Sequence, residues 1–238
     1  MKIVSLNIEQ DRHLDPVIPF LKKEKPDVIL LQEVFQKDIA KFENSLGMKS
    51  NFTVMKILLC EGNLLPLGLA VFLAYPMTNN SFYYRGNGKN PPIGPAGVPL
   101  HVARAMVVSK IIKNQQIFCL INTHFTWTPN GYDNELQRED LPKFLDLLTK
   151  FPEFILCGDL NAPRGRIIFD KIASIYKDNV PYNITTTIDK KLHYAGDLQL
   201  VVDCLFSTSG YTVMDVEIVE NLSDHCAITA VLSLTNLN

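Results

Sequence analysis

Along the first fifty positions the apolar residues switch between two periods. Residues 2–8 alternate and end on Asn7, as a half-buried strand does, and Asp15-Pro16 then offers a cap and first turn for a helix over 17–25. Pro26-Asp27 breaks that helix. Residues 28–31 are continuously apolar, the pattern of a central strand, and Gln32-Glu33 sets polar groups at its carboxyl end. Residues 37–46, closed by Gly47, have the spacing of an amphipathic helix. Three short runs at 52–60, 67–75 and 78–84, separated by Gly, Pro and Asn, then predict antiparallel strands. Residues 86–99 are rich in Gly and Pro and read as an exposed loop, and 102–113 with 116–123 predict a hairpin that delivers His124 at its end. Leu136, Leu141, Phe144, Leu145 and Leu148 recur at helical spacing over 133–150, where Pro142 is expected to break or kink the helix. A short helix over 167–176 and strands over 198–206, 212–219 and 226–234 close the chain. Without a repeat or linker, all 238 residues are expected to form one domain that alternates α and β around a β-rich middle.

Composition narrows the class without choosing a function. A charged fraction of 20% beside 47% hydrophobic residues is that of an ordered globular chain, and the net charge of -2 argues against a general polyanion binder. Any nucleic-acid surface must then be local. The amino terminus reaches a polar residue too soon for a secretory signal, and no apolar run is long enough to span a bilayer, so a cytoplasmic protein is expected. Four of the five cysteines, Cys119, Cys157, Cys204 and Cys226, lie inside apolar strand-like runs, where the side chain acts as a small hydrophobe.

The stretch Phe154-Ile155-Leu156-Cys157-Gly158-Asp159-Leu160-Asn161 opens as a buried strand and changes abruptly to glycine, carboxylate and carboxamide. Two apart on extended backbone, Asp159 and Asn161 point to one side and Leu160 to the other. Pro163 and Gly165 turn the chain, which leaves Arg164 and Arg166 beside the carboxylate. Read alone, Gly-Asp-x-Asn also describes an Asx-rich turn after a strand. Its company changes that reading: Asn7-Ile8-Glu9, Gln32-Glu33, Asn122-Thr123-His124, Val202-Asp203 and Ser223-Asp224-His225 are likewise set at or near the ends of apolar runs. Glu9, Glu33, Asp159, Asp203 and Asp224 are carboxylates that repel one another if they converge, unless protons or a cation offset them. Oxygen ligands without a Cys cluster suit a hard ion, Mg²⁺ or Mn²⁺, better than zinc.

In order and spacing these motifs resemble the endonuclease/exonuclease/phosphatase superfamily, and the resemblance spans nearly the whole chain. It implies a four-layer α/β sandwich of the DNase I-like kind, two mixed β-sheets face to face with helices outside. It also implies Mg²⁺-dependent phosphoester hydrolysis, with Mn²⁺ able to substitute. By the resemblance Glu33 is the principal metal ligand, Glu9 stands where relatives more often carry an aspartate ligand, and Asp224 is an auxiliary carboxylate of the metal or water network. Asn7 hydrogen-bonds near metal and phosphate. Asp159 orients or deprotonates the attacking water, and Asn161 holds the phosphate and water beside it. His225 pairs with Asp203 to contact the phosphate, and His124 protonates the leaving oxygen, a position where abasic-site repair branches carry tyrosine. The expected substrate is a phosphodiester, with nucleic acid first and a small or lipid phosphoester second, acted on by a monomer; a catalytically silent relative that binds a partner in the same cleft is the third reading and would predict a lost motif, of which there is none. His13, His101 and His193 match no motif and are expected at surface or satisfied positions.

Charge layout adds one expectation. Residues 62–132 contain no Asp or Glu, while Arg85, Lys89, Arg104, Lys110 and Lys113 fall within them. If the 86–99 loop overhangs the site, Arg85 and Lys89 with Arg164 and Arg166 would hold flanking phosphates, and Phe82, Tyr83 and Tyr84 would offer stacking surfaces for an unpaired base.

Overall fold

The computed structural model describes residues 1–95 and 102–235. The first strand, β1 (Lys2–Asn7), leads into helix α1 (Leu14–Glu24) and returns through β2 (Val28–Phe35), parallel to β1. Asp15 lies inside the first turn of α1 instead of capping it, and Lys25 ends the helix in the left-handed region. Helix α2 (Ile39–Leu46) closes on Gly47 at φ 66°, a backbone that glycine adopts without strain. Then come β3 (Lys49–Cys60), β4 (Asn63–Leu73), β5 (Met77–Arg85) and the two-residue β6 (Ile93–Gly94). The hairpin of β7 (Arg104–Lys113) and β8 (Gln116–His124) turns through Asn114 and Gln115, both at positive φ.

Helix α3 (Glu135–Leu148) runs uninterrupted through Pro142, which corrects the expected break. Pro142 is exposed, so the carbonyl that its missing N–H would have bonded can face water. Beyond it follow β9 (Ile155–Asp159), α4 (Ile167–Ala173), β10 (Lys177–Asp178), β11 (Asp203–Ser207), β12 (Tyr211–Val219) and β13 (Ala227–Leu234). The strand expected over 198–206 begins only at Asp203. Before it, Leu200, Val201 and Val202 offer carbonyls to three separate segments, through Thr187, Arg164 and Leu160, so no ladder forms.

Among the described residues these strands make two mixed sheets, ordered β12-β13-β1-β2-β4-β3-β6 and β10-β11-β9-β8-β7-β5. Inward residues of both, including Ile3, Leu30 and Val71 from the first and Val107, Leu120 and Leu205 from the second, share one core cluster. The outer face of the first sheet packs Val4, Leu6 and Phe72 on Val17, Leu21 and Phe42 of α1 and α2. The outer face of the second packs Ile121, Leu156 and Phe206 on Phe144, Leu148 and Phe169 of α3 and α4. The order is helix, sheet, sheet, helix, and each fully buried large side chain contributes on the order of 1.5–3 kcal/mol to holding it. No helix among the described residues is long and apolar enough to cross a membrane.

Candidate active site

Strand register assembles the polar groups. In the second sheet His124 pairs with Asp159, and Asp159 with Asp203, so the ends of β8, β9 and β11 set three functional side chains in a row. That row requires β8 and β9 to run very close at Gly158, whose φ is 138° and where a Cβ would stand 1.9 Å from the Thr123 carbonyl oxygen. Only glycine fits there. In the first sheet Asn7 pairs with Gln32 at the ends of β1 and β2. The pairing of β2 with β4 slips between Leu31 and Val34, and at this bulge Glu33 takes φ 56°, an uncommon backbone for a side chain of its kind. The two sheets meet through Asn7, whose Nδ2 donates to Asp159 Oδ2 at 3.2 Å and Glu33 Oε1 at 3.4 Å.

Around Asp159 the contacts form a small network. His225, just before β13, bonds through Nδ1 to Asp203 Oδ2 at 2.8 Å and points Nε2 at Asp159 Oδ2, 3.8 Å away. His124 Nε2 lies 3.4 Å from the same oxygen and 3.9 Å from Glu33 Oε1. The other oxygen of Asp159 accepts the Asn161 backbone N–H at 2.7 Å, an Asx turn that holds Asn161 at φ 50°. Asn161 Nδ2 in turn donates to the Phe125 carbonyl at 3.2 Å.

The two histidines are driven apart in charge. Burial alone would lower His225, but Asp203 and Asp159 outweigh it and hold the ring well above the ordinary histidine value, as an imidazolium. Burial, Arg104 and His225 push His124 well below that value, so it is neutral. Among the carboxylates, burial raises Asp159, and burial with the charges of Asp224 and Asp159 raises Glu33 to about 7. The ligating atoms of Asp159, Asp203 and His225 lie within 4.8 Å of one another, a spacing suited to a metal. The Nδ1 of His225 is already engaged by Asp203, and Glu33 carries the added repulsion of Asp224 and Asp159.

A family model, that of the endonuclease/exonuclease/phosphatase family, matches residues 4–225. The chain belongs to that family. Its members are hydrolytic phosphoesterases that generally use a divalent metal. Among solved structures, a family member from Bacteroides vulgatus is similar with a TM-score of 0.74 at 19% identity, covering 98% of each chain. The mannosyl-6-phosphatase Bt3783 of Bacteroides thetaiotaomicron matches with a TM-score of 0.73 at 13% identity over 98% of this chain and 99% of that one. ANGEL2, a 2',3'-cyclic phosphatase in complex with adenosine-2',3'-vanadate, matches with a TM-score of 0.71 at 14% identity over 98% and 95%. No curated protein matches in sequence.

Several residues expected at the site of this endonuclease/exonuclease/phosphatase protein lie elsewhere or are otherwise engaged. Glu9 directs one carboxylate oxygen to Arg12 and the other to His13 Nε2 at 2.9 Å. Arg85 is the last residue of β5, not a loop cation, and its Nε bonds Asp140 at 2.8 and 3.0 Å while Nη2 reaches the Leu136 carbonyl. Arg164 is drawn to Asp178 at 2.6 Å and to the carbonyls of Val180 and Pro181. Both cations were expected on phosphate, and both instead compensate acids on neighbouring elements, one of them, Asp140, fully buried. Arg166 bonds the Asn130 carbonyl at 2.6 Å and covers the Tyr132 ring at 4.1 Å. Lys89 is exposed in its loop, of which residues 96–99, like His101, lie outside the described residues. The expected stacking surfaces are also internal: Tyr84 packs on Phe125 and Phe144, Phe82 on Phe151, and Tyr83 Oη donates to the Val54 carbonyl.

Sequence reasoning missed the supports of the site. Gln32 Nε2 donates to Asn122 Oδ1 at 2.7 Å, and Asn122 Nδ2 to the carbonyls of Leu31 and Ala70, which locks the two sheets at the level of the site. Arg104, buried at the start of β7, donates to the His124 carbonyl at 3.2 Å. On α3, Gln137 Nε2 holds the carbonyls of Thr126 and Asn161, and Asp140 accepts the Thr126 hydroxyl, so one helix fixes the loops after β8 and β9. The signal was present, since Gln137 and Asp140 share the face of Leu141, Phe144 and Leu148.

Proposed function

We propose that this protein is a Mg²⁺-dependent phosphodiesterase that hydrolyses nucleic acid at the Asp159 site. The observation that carries the reading is the convergence on Asp159 of Asn7 at 3.2 Å, His124 at 3.4 Å and His225 at 3.8 Å, with Glu33 tied to the same Asn7 at 3.4 Å. The donor set fits a hard divalent ion: burial, with the neighbouring charges of Asp224 and Asp159, raises Glu33 to about 7, and no cysteine stands among these carboxylates. Glu33 would hold the ion with Asp224, and Glu9, tied to Arg12 and His13, is left to the outer edge. When bound, such an ion offsets the negative charge of the phosphoryl oxygens.

The chain's own residues do the rest. Asp159, oriented by Asn7 and by the Asn161 backbone, accepts a proton from the attacking water. Asn7 and Asn161 position phosphate and water for in-line attack. The His225 imidazolium, oriented by Asp203, donates to a phosphoryl oxygen as charge develops there. Neutral His124 can donate a hydrogen bond from Nε2–H to the leaving oxygen but stores no spare proton, so the proton that oxygen takes as the P–O bond breaks comes from water. Nucleic acid is favoured because ANGEL2, similar in fold over nearly the whole chain, is a 2',3'-cyclic phosphatase complexed with an adenosine vanadate. The comparable likeness to a mannosyl-6-phosphatase favours a second reading, a sugar or other small phosphomonoester. Turnover of single-stranded DNA, duplex DNA, RNA, bis-p-nitrophenyl phosphate and mannose 6-phosphate, with Mg²⁺ and after exhaustive EDTA, tests both. Metal-dependent cleavage of an oligonucleotide ahead of the small substrates is expected. A preference for the sugar phosphate would transfer the assignment to the second reading, and full activity in EDTA would sink the metal.

A further inference from the structure

Between β10 and β11 the chain makes a long excursion whose tip is His193-Tyr194. Asp189 ties this excursion to the site: its N–H donates to the Asp224 carbonyl at 2.8 Å, and the neighbouring Ile188 bridges to His225. The Asp189 carboxylate accepts the backbone N–H groups of Lys191, Leu192 and Asn221, and its carbonyl accepts that of His193 at 2.9 Å. A turn held at so many points is preorganised. Within it the Ala195 N–H donates to His193 Nδ1 at 3.1 Å, which makes Nδ1 the acceptor and leaves the proton of the neutral ring on Nε2. His193 is half-buried and within electrostatic reach of Asp224, His225 and Glu9. Tyr194 stacks against it with ring centroids 4.5 Å apart, tilted by 34°, and is 90% exposed.

Neither side chain has a role in the hydrolysis proposed above. We propose that the His193-Tyr194 turn is a substrate-binding element that receives the nucleobase beside the scissile phosphate, Tyr194 stacking its open face on the base while His193 Nε2–H donates to a sugar or flanking phosphate oxygen. The inference rests on the nuclease reading of the site. An exposed aromatic ring on a turn whose base is hydrogen-bonded to the Asp224-His225 segment offers a nucleobase a π-face without regard to sequence. Lys190 and Lys191 precede the turn, Lys191 bonding Asn221 Oδ1 at 2.9 Å, and their charge suits a phosphate-bearing ligand on that side.

The test uses a short single-stranded oligonucleotide with phosphorothioate linkages and one 2-aminopurine, titrated with the Mg²⁺-loaded protein, beside a matched probe whose bases are abasic spacers. Wild type should quench the 2-aminopurine, and Tyr194→Phe should keep quench and affinity. Tyr194→Ala should lose the quench and bind about tenfold more weakly, and His193→Ala should bind a few-fold more weakly with the quench retained. The abasic probe should not distinguish Tyr194→Ala from wild type. No quench by wild type, or equal affinity in Tyr194→Ala, overturns the assignment, as does an equal loss on the abasic probe. Hydrolysis of the unmodified oligonucleotide is scored separately. Quenching without hydrolysis would sink the nuclease reading alone, and hydrolysis indifferent to Tyr194 would sink the turn alone.

Discussion

Glu33→Gln keeps the size of the side chain and removes a charge that burial and neighbouring carboxylates disfavour. In the metal-free protein Glu33 is raised from 4.5 to about 7, so between these values the folded state binds more protons than the unfolded one. Stability must therefore fall as pH climbs through that window, because an acid raised on folding is an ionised liability above it. At about 1.4 kcal/mol per pH unit the interval sets a ceiling of about 3.5 kcal/mol. Glu33 keeps 25% of its side chain exposed, and solvent screening brings the expectation nearer to about 2 kcal/mol. For a chain of this length that is about 4–8 °C in Tm. The assay is urea and thermal unfolding of EDTA-treated wild type and Glu33→Gln at pH 5 and pH 8. His225, held above its ordinary value, also loses stabilisation as pH rises above the unfolded value, whereas depressed His124 costs stability as pH falls below it. Both remain in the variant, so the difference between the two proteins isolates Glu33 to first order. Wild type should lose about 2 kcal/mol more than the variant on going from pH 5 to pH 8, and saturating Mg²⁺ at pH 8 should recover that loss in wild type while leaving the variant little changed. Parallel pH slopes in the two proteins, or equal stabilisation of both by Mg²⁺, would refute the electrostatic account of the cation site.

Three further outcomes follow from the same geometry. Asp203→Ala and His225→Ala should each lower kcat by orders of magnitude, and the double variant should be scarcely worse than either single one because the pair acts as a unit; a multiplicative loss in steady-state kinetics would mean independent roles. Arg85→Ala leaves buried Asp140 without its partner and should destabilise the fold by about 3 kcal/mol in urea, with KM for an oligonucleotide almost unchanged; a raised KM at normal stability would return Arg85 to the substrate. Gly158→Ala forces a Cβ against the Thr123 carbonyl and should cost at least about 2 kcal/mol, so a variant with wild-type Tm would show that β8 and β9 can separate there.

What could be read in the sequence is what local pattern controls. Asn7, His124 and Asp159 each end a strand, Asp203 follows the apolar Leu200-Val201-Val202 and opens one, and Glu33 follows the apolar run of β2; the edge of an apolar run is where a side chain leaves the core for a site. The alternation of short runs likewise announced most strands within a few residues of where they lie. Pairings between distant segments could not be read. Arg85 and Asp140 are 55 positions apart, and nothing near either predicts the other. Arg164 stands beside the central motif in sequence yet faces Asp178 in space. His193 matched no motif, because its link to the site runs through hydrogen bonds between residues 187–189 and residues 221–226, far apart in sequence.

The bulge at Glu33 belongs to the same class, since it is a property of how β2 pairs with β4 and not of β2 itself. Its consequence reaches the chemistry. Asn7 and Glu33 come from one sheet, His124, Asp159 and Asp203 from the other, and His225 from the loop that enters β13 of the first. The distances among them are therefore set by how the sheets stack, and a shift of even an ångström between the layers would separate Asn7 from Asp159. The buried Gln32–Asn122 bond spans the two layers directly beneath those residues. A polar pair in an otherwise apolar interlayer contributes little to net stability, the more so as Gln32 Oε1 is buried without a partner, but the bond from Gln32 Nε2 to Asn122 Oδ1 forms in one register only. Its position under the site accounts for polar residues in the middle of runs where packing alone would have placed leucine or valine.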